Sequence, residues 1–191
     1  MQLTLTWDLF VLVFFMVIMA YSLIIGRDNT LKVILATYIA GFAADAMGSL
    51  FAKYFVGSEA FLKILRLASL GTEQEAVIFV KVFIFVVMVI LLTIKGAFEV
   101  DTVDDRSPFI RMILSFLYAG MSAGLMLSLI FVFVSGVPIV GGGSFETTGT
   151  ALWGLYNQSE FIRGIVGNSY LWFSLPALSF LIHSLYSHKD K

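Results

Sequence analysis

The stretch Met112–Val134, MILSFLYAGMSAGLMLSLIFVFV, decides the fold, because it runs for 23 residues without one charged side chain. A helix needs roughly 20 mainly apolar residues to cross about 30 Å of hydrocarbon. Working outward, three further runs have the same character. Leu9–Ile25 is opened by Trp7 and Asp8, Val33–Phe51 is interrupted only by Asp45, and Ala76–Ile94 carries only Lys81. In lipid a chain must satisfy its own backbone N–H and C=O groups, so such runs are expected to be helices. The reading is an all-α integral membrane protein, a single polytopic domain over residues 1–191 with spans over about 8–26, 32–52, 76–96 and 110–134. A C-terminal segment over 169–186, rich in Ser and containing Pro176 and His183, is a candidate fifth span, an interfacial helix or a segment docked against the bundle.

Composition agrees. The chain is 59% hydrophobic and 13% charged, with net charge −1, against about 45–50% and about 25% in soluble domains. The charge balance leaves no basic footprint for nucleic acid. With no cysteine, disulfides, thiolate metal sites and thiol nucleophiles are excluded. Met1–Trp7 carries no Lys or Arg and no A-x-A site follows, so the first run reads as a retained span rather than a signal peptide.

Basic residues predict the orientation. Arg27 and Lys32 follow the first span, and Lys95, Arg106 and Arg111 follow the third, whereas the N-terminal tail and Ser135–Gln158 have none. This places the N-terminus outside the cytoplasm. Lys53, Lys63 and Arg66 after span two run against the rule, and Phe61–Leu67 among them reads as a short amphipathic segment on the membrane surface. The Gly-rich stretch through Gly141-Gly142-Gly143-Ser144 is irregular and is not a phosphate loop, since no Gly-Lys-Ser/Thr follows.

Two features stand out inside the spans. Ala36, Ala40, Ala44, Gly48 and Ala52 recur every four residues, and Gly120, Gly124 and Ser128 repeat the pattern in span four. Such small faces let helices approach closely in lipid, either spans two and four of one chain or copies in a homo-oligomer. Asp45 is the other feature, because a carboxylate at membrane depth is costly. At about 1.5 Å per residue, Asp45 lies roughly 9 Å below the outer end of its run and Lys81 roughly 7–8 Å below the outer end of the next. An Asp45–Lys81 ion pair is therefore expected; the alternative is an ion or proton path lined by Asp45.

Enzyme signatures are missing. His183 and His188 have no further ligands, so no metal site or cofactor is expected, and no nucleophile elbow or zinc-protease motif occurs. The cluster Glu99, Asp101, Asp104 and Asp105 is interleaved with Lys95, Arg106 and Arg111 and reads as a solvated loop.

Four pieces in order along the chain carry a resemblance. They are Trp7-Asp8, then Leu23-Ile24-Ile25-Gly26-Arg27, then Asp105-Arg106 with Gly120 and Gly124, and finally Ser169-Tyr170-Leu171-Trp172-Phe173-Ser174-Leu175-Pro176. Together these resemble the colicin V production protein (CvpA-like) family of bacterial inner-membrane proteins, although Leu114 and Tyr118 stand where the family has glycines. The resemblance implies a multi-pass inner-membrane protein without catalytic residues, needed for toxin production or export and for envelope homeostasis. Its expected partners are the lipid bilayer, further copies of itself and other envelope proteins. The competing expectation is an oligomeric ion channel or small transporter with Asp45 in the pathway.

Overall fold

The computed structural model describes residues 7–56, 58, 72–96, 108–136, 139 and 160–187. Among them there are six helices and no strand: α1 (Trp7–Ile25), α2 (Arg27–Phe55), α3 (Glu73–Lys95), α4 (Pro108–Ser135), α5 (Glu160–Gly167) and α6 (Ser169–Ser187). The surface segment 61–67, the Gly-rich run 141–143, the acidic cluster 99–105 and His188 lie outside the described residues.

Helices α1 to α4 are each long and apolar enough to cross a membrane, and α5 with α6 makes a fifth candidate if the bent pair is one span. Their outward faces carry large apolar side chains such as Phe10, Val17, Phe79, Phe83 and Phe109. Charged side chains of the four long helices lie in the terminal two turns, apart from Asp45 and Lys81.

The expected bounds are met within a few residues except at α2, which starts five residues early. Instead of a first loop, Gly26 alone joins α1 to α2, at φ 83°. That left-handed backbone is open to glycine at little cost. Asp28 then sits in the first turn of α2, where the helix dipole favours a negative charge. The Thr30 hydroxyl lies 2.8 Å from both the Ser22 and Gly26 carbonyl oxygens, tying the turn shut. Helix α3 is punctuated as its sequence requires. The Thr72 hydroxyl accepts the Glu75 N–H at 3.2 Å, Glu73 and Glu75 occupy the first turn, and Lys95 the last. Helix α4 begins at Pro108 and ends at Gly136, φ 73°, the proline-start and glycine-stop arrangement.

Helix α4 is the central post. Of its most apolar 18-residue window 72% is buried, against 11% for α1 and α3. One apolar cluster joins α2 and α3 to α4 through Leu31, Ile34, Phe85, Leu125, Leu129 and Phe133, with the Phe85 and Phe133 rings edge to face at 5.6 Å. A second joins α1 and α5 to α4 through Val11, Leu127, Phe131, Ile162 and Ile165. Helices α5 and α6 meet at Asn168 with a 52° bend. The Asn168 side-chain amide donates to the Gly164 carbonyl at 2.8 Å, closing α5. Helix α6 then runs antiparallel to α4, with Trp172 against Gly124 and Ser179 Oγ 3.1 Å from the Tyr118 hydroxyl. Pro176 removes one backbone donor from α6. About one turn earlier in the chain, the Phe173 carbonyl accepts the Tyr38 hydroxyl and docks α6 on α2.

Candidate functional site: a buried ion pair where α4 ends

Asp45 and Lys81 come together. Lys81 Nζ lies 2.7 Å from Asp45 Oδ1, and the two side chains are 8% and 0% exposed. Their depths match because α2 and α3 are antiparallel neighbours. Asp45 lies about 15 Å below the end of α2 and Lys81 about 12 Å below the start of α3, at 1.5 Å per residue. Both helices extend beyond their apolar runs, which makes these depths larger than the sequence expectation while keeping them level.

The carboxylate has a second partner. Asp45 Oδ2 accepts the backbone N–H of Ile139 at 2.9 Å. Gly41 lies against Leu129, and counting from that contact puts the last turn of α4 within about one turn of Asp45, while α2 continues for about 15 Å more. Asp45 therefore occupies the place where the central helix runs out. After the turn at Gly136 the chain presents a backbone donor that no helix can satisfy, and the carboxylate accepts it. A buried charge is tolerable only when paired and hydrogen-bonded, and here each carboxylate oxygen has a donor.

Glycine 48 makes the pair possible. A Cβ at that position would lie 2.2 Å from Lys81 Cγ and 2.9 Å from Cε. The lysine stem is thus laid flat across α2, one turn beyond Asp45, and its ammonium reaches back to the carboxylate.

The small-residue faces are divided differently from the simple pairing of spans two and four. Ala36, Ala40, Ala44 and Gly48 are buried within the chain and Ala52 is half-buried, so this stripe is not a free face for a second copy. Its Gly48 end receives α3, while Gly41, which is outside the stripe, receives Leu129 of α4. In α4, Gly124 receives the Trp172 indole of α6, whose Cε3 would be 2.0 Å from an added Cβ, whereas Gly120 faces open space. Ser128 is buried with no hydrogen-bond partner among the described residues. Spacing defines a face; it does not say which helix fills it.

The contribution of Ile139 was not foreseeable from residue types, since every non-proline backbone carries the same N–H. The one signal lay in Gly136-Val137-Pro138-Ile139-Val140: a helix stop followed at once by apolar residues, which is unusual for a chain leaving for solvent. Among the described residues no group of three or more His, Cys, Asp or Glu could hold a metal ion.

The arrangement defines a membrane-type helical bundle with a sealed internal ion pair. Compared with family models, curated proteins and solved structures, the chain finds no match.

Proposed function

We propose that this chain is a non-enzymatic, multi-pass protein of the bacterial inner membrane, a scaffold or accessory factor of CvpA-like type serving toxin production or export, or envelope homeostasis. The observation that carries the scaffold part is the sealing of Asp45. A carboxylate that passes ions or protons needs water within reach. Asp45 is instead 0% exposed and held by Lys81 and Ile139, which supports a structural role. The link to toxin production and envelope homeostasis rests on the sequence pieces beginning at Trp7-Asp8 and ending at Pro176.

The N-terminus is outside the cytoplasm in this reading. Arg27 and Lys32 at one end of α2, Lys95 at the end of α3 and Arg111 at the start of α4 support a cytoplasmic position for that end. Because the chain has no cysteine, single cysteines at the exposed Asn29 and at Ser58 can be labelled with a membrane-impermeant maleimide in intact cells without background from the chain's own thiols. Labelling is expected at Ser58 and not at Asn29.

The deciding experiment is proton and ion flux through liposomes containing the purified protein, wild type beside Asp45→Asn. No flux in either, from protein with an intact helical circular dichroism spectrum, is the expected result. Flux in the wild type that Asp45→Asn abolishes would overturn the scaffold reading in favour of an oligomeric channel or small transporter.

A further inference from the structure

A cleft of ≈ 500 Å³ opens between α1 and the bent pair α5–α6, on the opposite side of α4 from the ion pair. Its walls are Val11, Leu12 and Phe15 of α1, Phe161 and Ile165 of α5, and Trp172 of α6. The volume is inside the range of about 300–1,000 Å³ for small-molecule sites. Among the described residues Glu160 is its only charged lining residue, and Gly164 makes part of the floor.

Three observations specify what fits. First, the cleft has a direction. Glu160 is at the end of the bundle where the Phe161 N–H approaches Asp8 Oδ1 at 3.4 Å, whereas Trp172 is deeper, packed on Gly124 and edge to face with Phe15 at 6.4 Å. A polar end near the helix termini leads into an apolar interior, as a lipid leaflet does. Second, the charge at the polar end is negative, so it selects a cationic group. Third, the deep part of the cleft, lined by Phe15, Ile165 and Trp172, is apolar. An amphiphile with an ammonium head and an acyl chain matches all three.

We infer that the α1–α5–α6 cleft binds one phospholipid of the ethanolamine class, with its ammonium on Glu160 and an acyl chain along Phe15, Ile165 and Trp172. The inference rests on the membrane residence proposed above. Glutamate at the mouth discriminates against anionic glycerol headgroups through like-charge repulsion and favours the ethanolamine ammonium through a charge-assisted hydrogen bond.

Tryptophan quenching by brominated acyl chains tests it. The chain has three tryptophans; Trp7→Phe with Trp153→Phe leaves Trp172 as the sole reporter. This protein is reconstituted into vesicles in which either the phosphatidylethanolamine or the phosphatidylglycerol component carries the bromines, at equal mole fraction. At least twofold stronger quenching by the brominated phosphatidylethanolamine is expected. Glu160→Gln removes that preference, and Gly164→Leu lowers quenching by both lipids. Gly164 tolerates the change because a Cβ there meets nothing within 4 Å. Equal quenching by the two lipids, or a preference that survives Glu160→Gln, overturns the assignment, as does Gly164→Leu without effect. A second reporter separates the failures: Phe83→Trp, in a chain whose three native tryptophans are Phe, sits on the outward face of α3 where Phe83 is 60% exposed. If this reporter is quenched alike by both lipids while Trp172 shows no preference, the cleft assignment alone fails. If it is not quenched at all, membrane residence fails and the cleft assignment with it.

Discussion

The two sides of α4 solve the same problem in opposite ways. On the α2–α3 side the charged groups are matched and closed off: each oxygen of Asp45 has a donor, and the Lys81 stem fills the notch at Gly48. On the α1–α5–α6 side packing stops short. A cleft remains, and Trp172 Nε1 is buried without a partner among the described residues. The difference follows from chain connectivity. Helices α2 and α3 are long antiparallel neighbours whose faces match over many turns. Helix α5 has only eight residues before the Asn168 bend, too few to cover α1 along its length. A closed side supplies rigidity, and an open side supplies a place for something the chain does not itself contain.

Breaking the closed side should have the largest effect. Lys81→Met keeps the stem across Gly48 but leaves Asp45 buried without its cation, which is expected to cost about 3–5 kcal/mol. Removing both charges, with Asp45→Asn and Lys81→Met together, should recover most of that loss, because an uncharged pair has no uncompensated buried charge. Unfolding of the purified protein in mild detergent against added denaturing detergent measures these two variants and Asp45→Asn alone, and the double-mutant cycle gives the coupling. Coupling indistinguishable from zero would mean that the contact does no more than fill space, and the contrast between the two sides would lose its energetic basis.

The next effect concerns the boundary between the sides. Gly124→Ala would put a methyl 2.0 Å from Trp172 Cε3. The indole is a rigid group held between Gly124 and Phe15, so α6 must shift away from α4. Overpacking of this kind typically costs about 1–3 kcal/mol. The expected signature is a Trp172 emission change together with lower stability in the same detergent titration. A variant that lost stability while the emission stayed unchanged would place the strain somewhere other than this contact.

Much of the closed side was legible because its signals are periodic or exceptional. The apolar runs gave the helices, and an acid in one span and a lysine in the next gave a pair whose depth could be counted from the run ends. The open side was harder to read. In Glu160-Phe161-Ile162-Arg163-Gly164-Ile165-Val166-Gly167, two glycines and two charges within eight residues hide a helix whose Ile162 and Ile165 are nonetheless buried. Its helicity comes from packing on α1 and α4 rather than from propensity, which is a weak local signal. The clasp at Ile139 was illegible for a different reason: its donor is backbone. The junction after the first span is hidden for another reason: Arg27-Asp28-Asn29 has the polarity of a loop, yet polar residues can equally form a helix's first turn when, as at Gly26, a single residue with positive φ reverses the chain.

The smallest predicted effect sharpens the comparison most, because it uses the same residue type on the same helix one turn away. Gly120 and Gly124 belong to one sequence stripe, yet a Cβ on Gly120 meets nothing within 4 Å. If the stripe as a whole were the packing surface, Gly120→Ala would damage the bundle as Gly124→Ala does. The structure assigns the close approach to Gly124 alone, so at Gly120 only the backbone term remains. Alanine loses less conformational freedom than glycine on entering a helix, by roughly 0.5–1 kcal/mol. Gly120→Ala should therefore leave stability unchanged or raise it by up to about 1 kcal/mol in the detergent titration. A loss comparable with that of Gly124→Ala would show that the face at Gly120 is filled in the membrane by a second copy or another helix, and α4 would then have a third packed side.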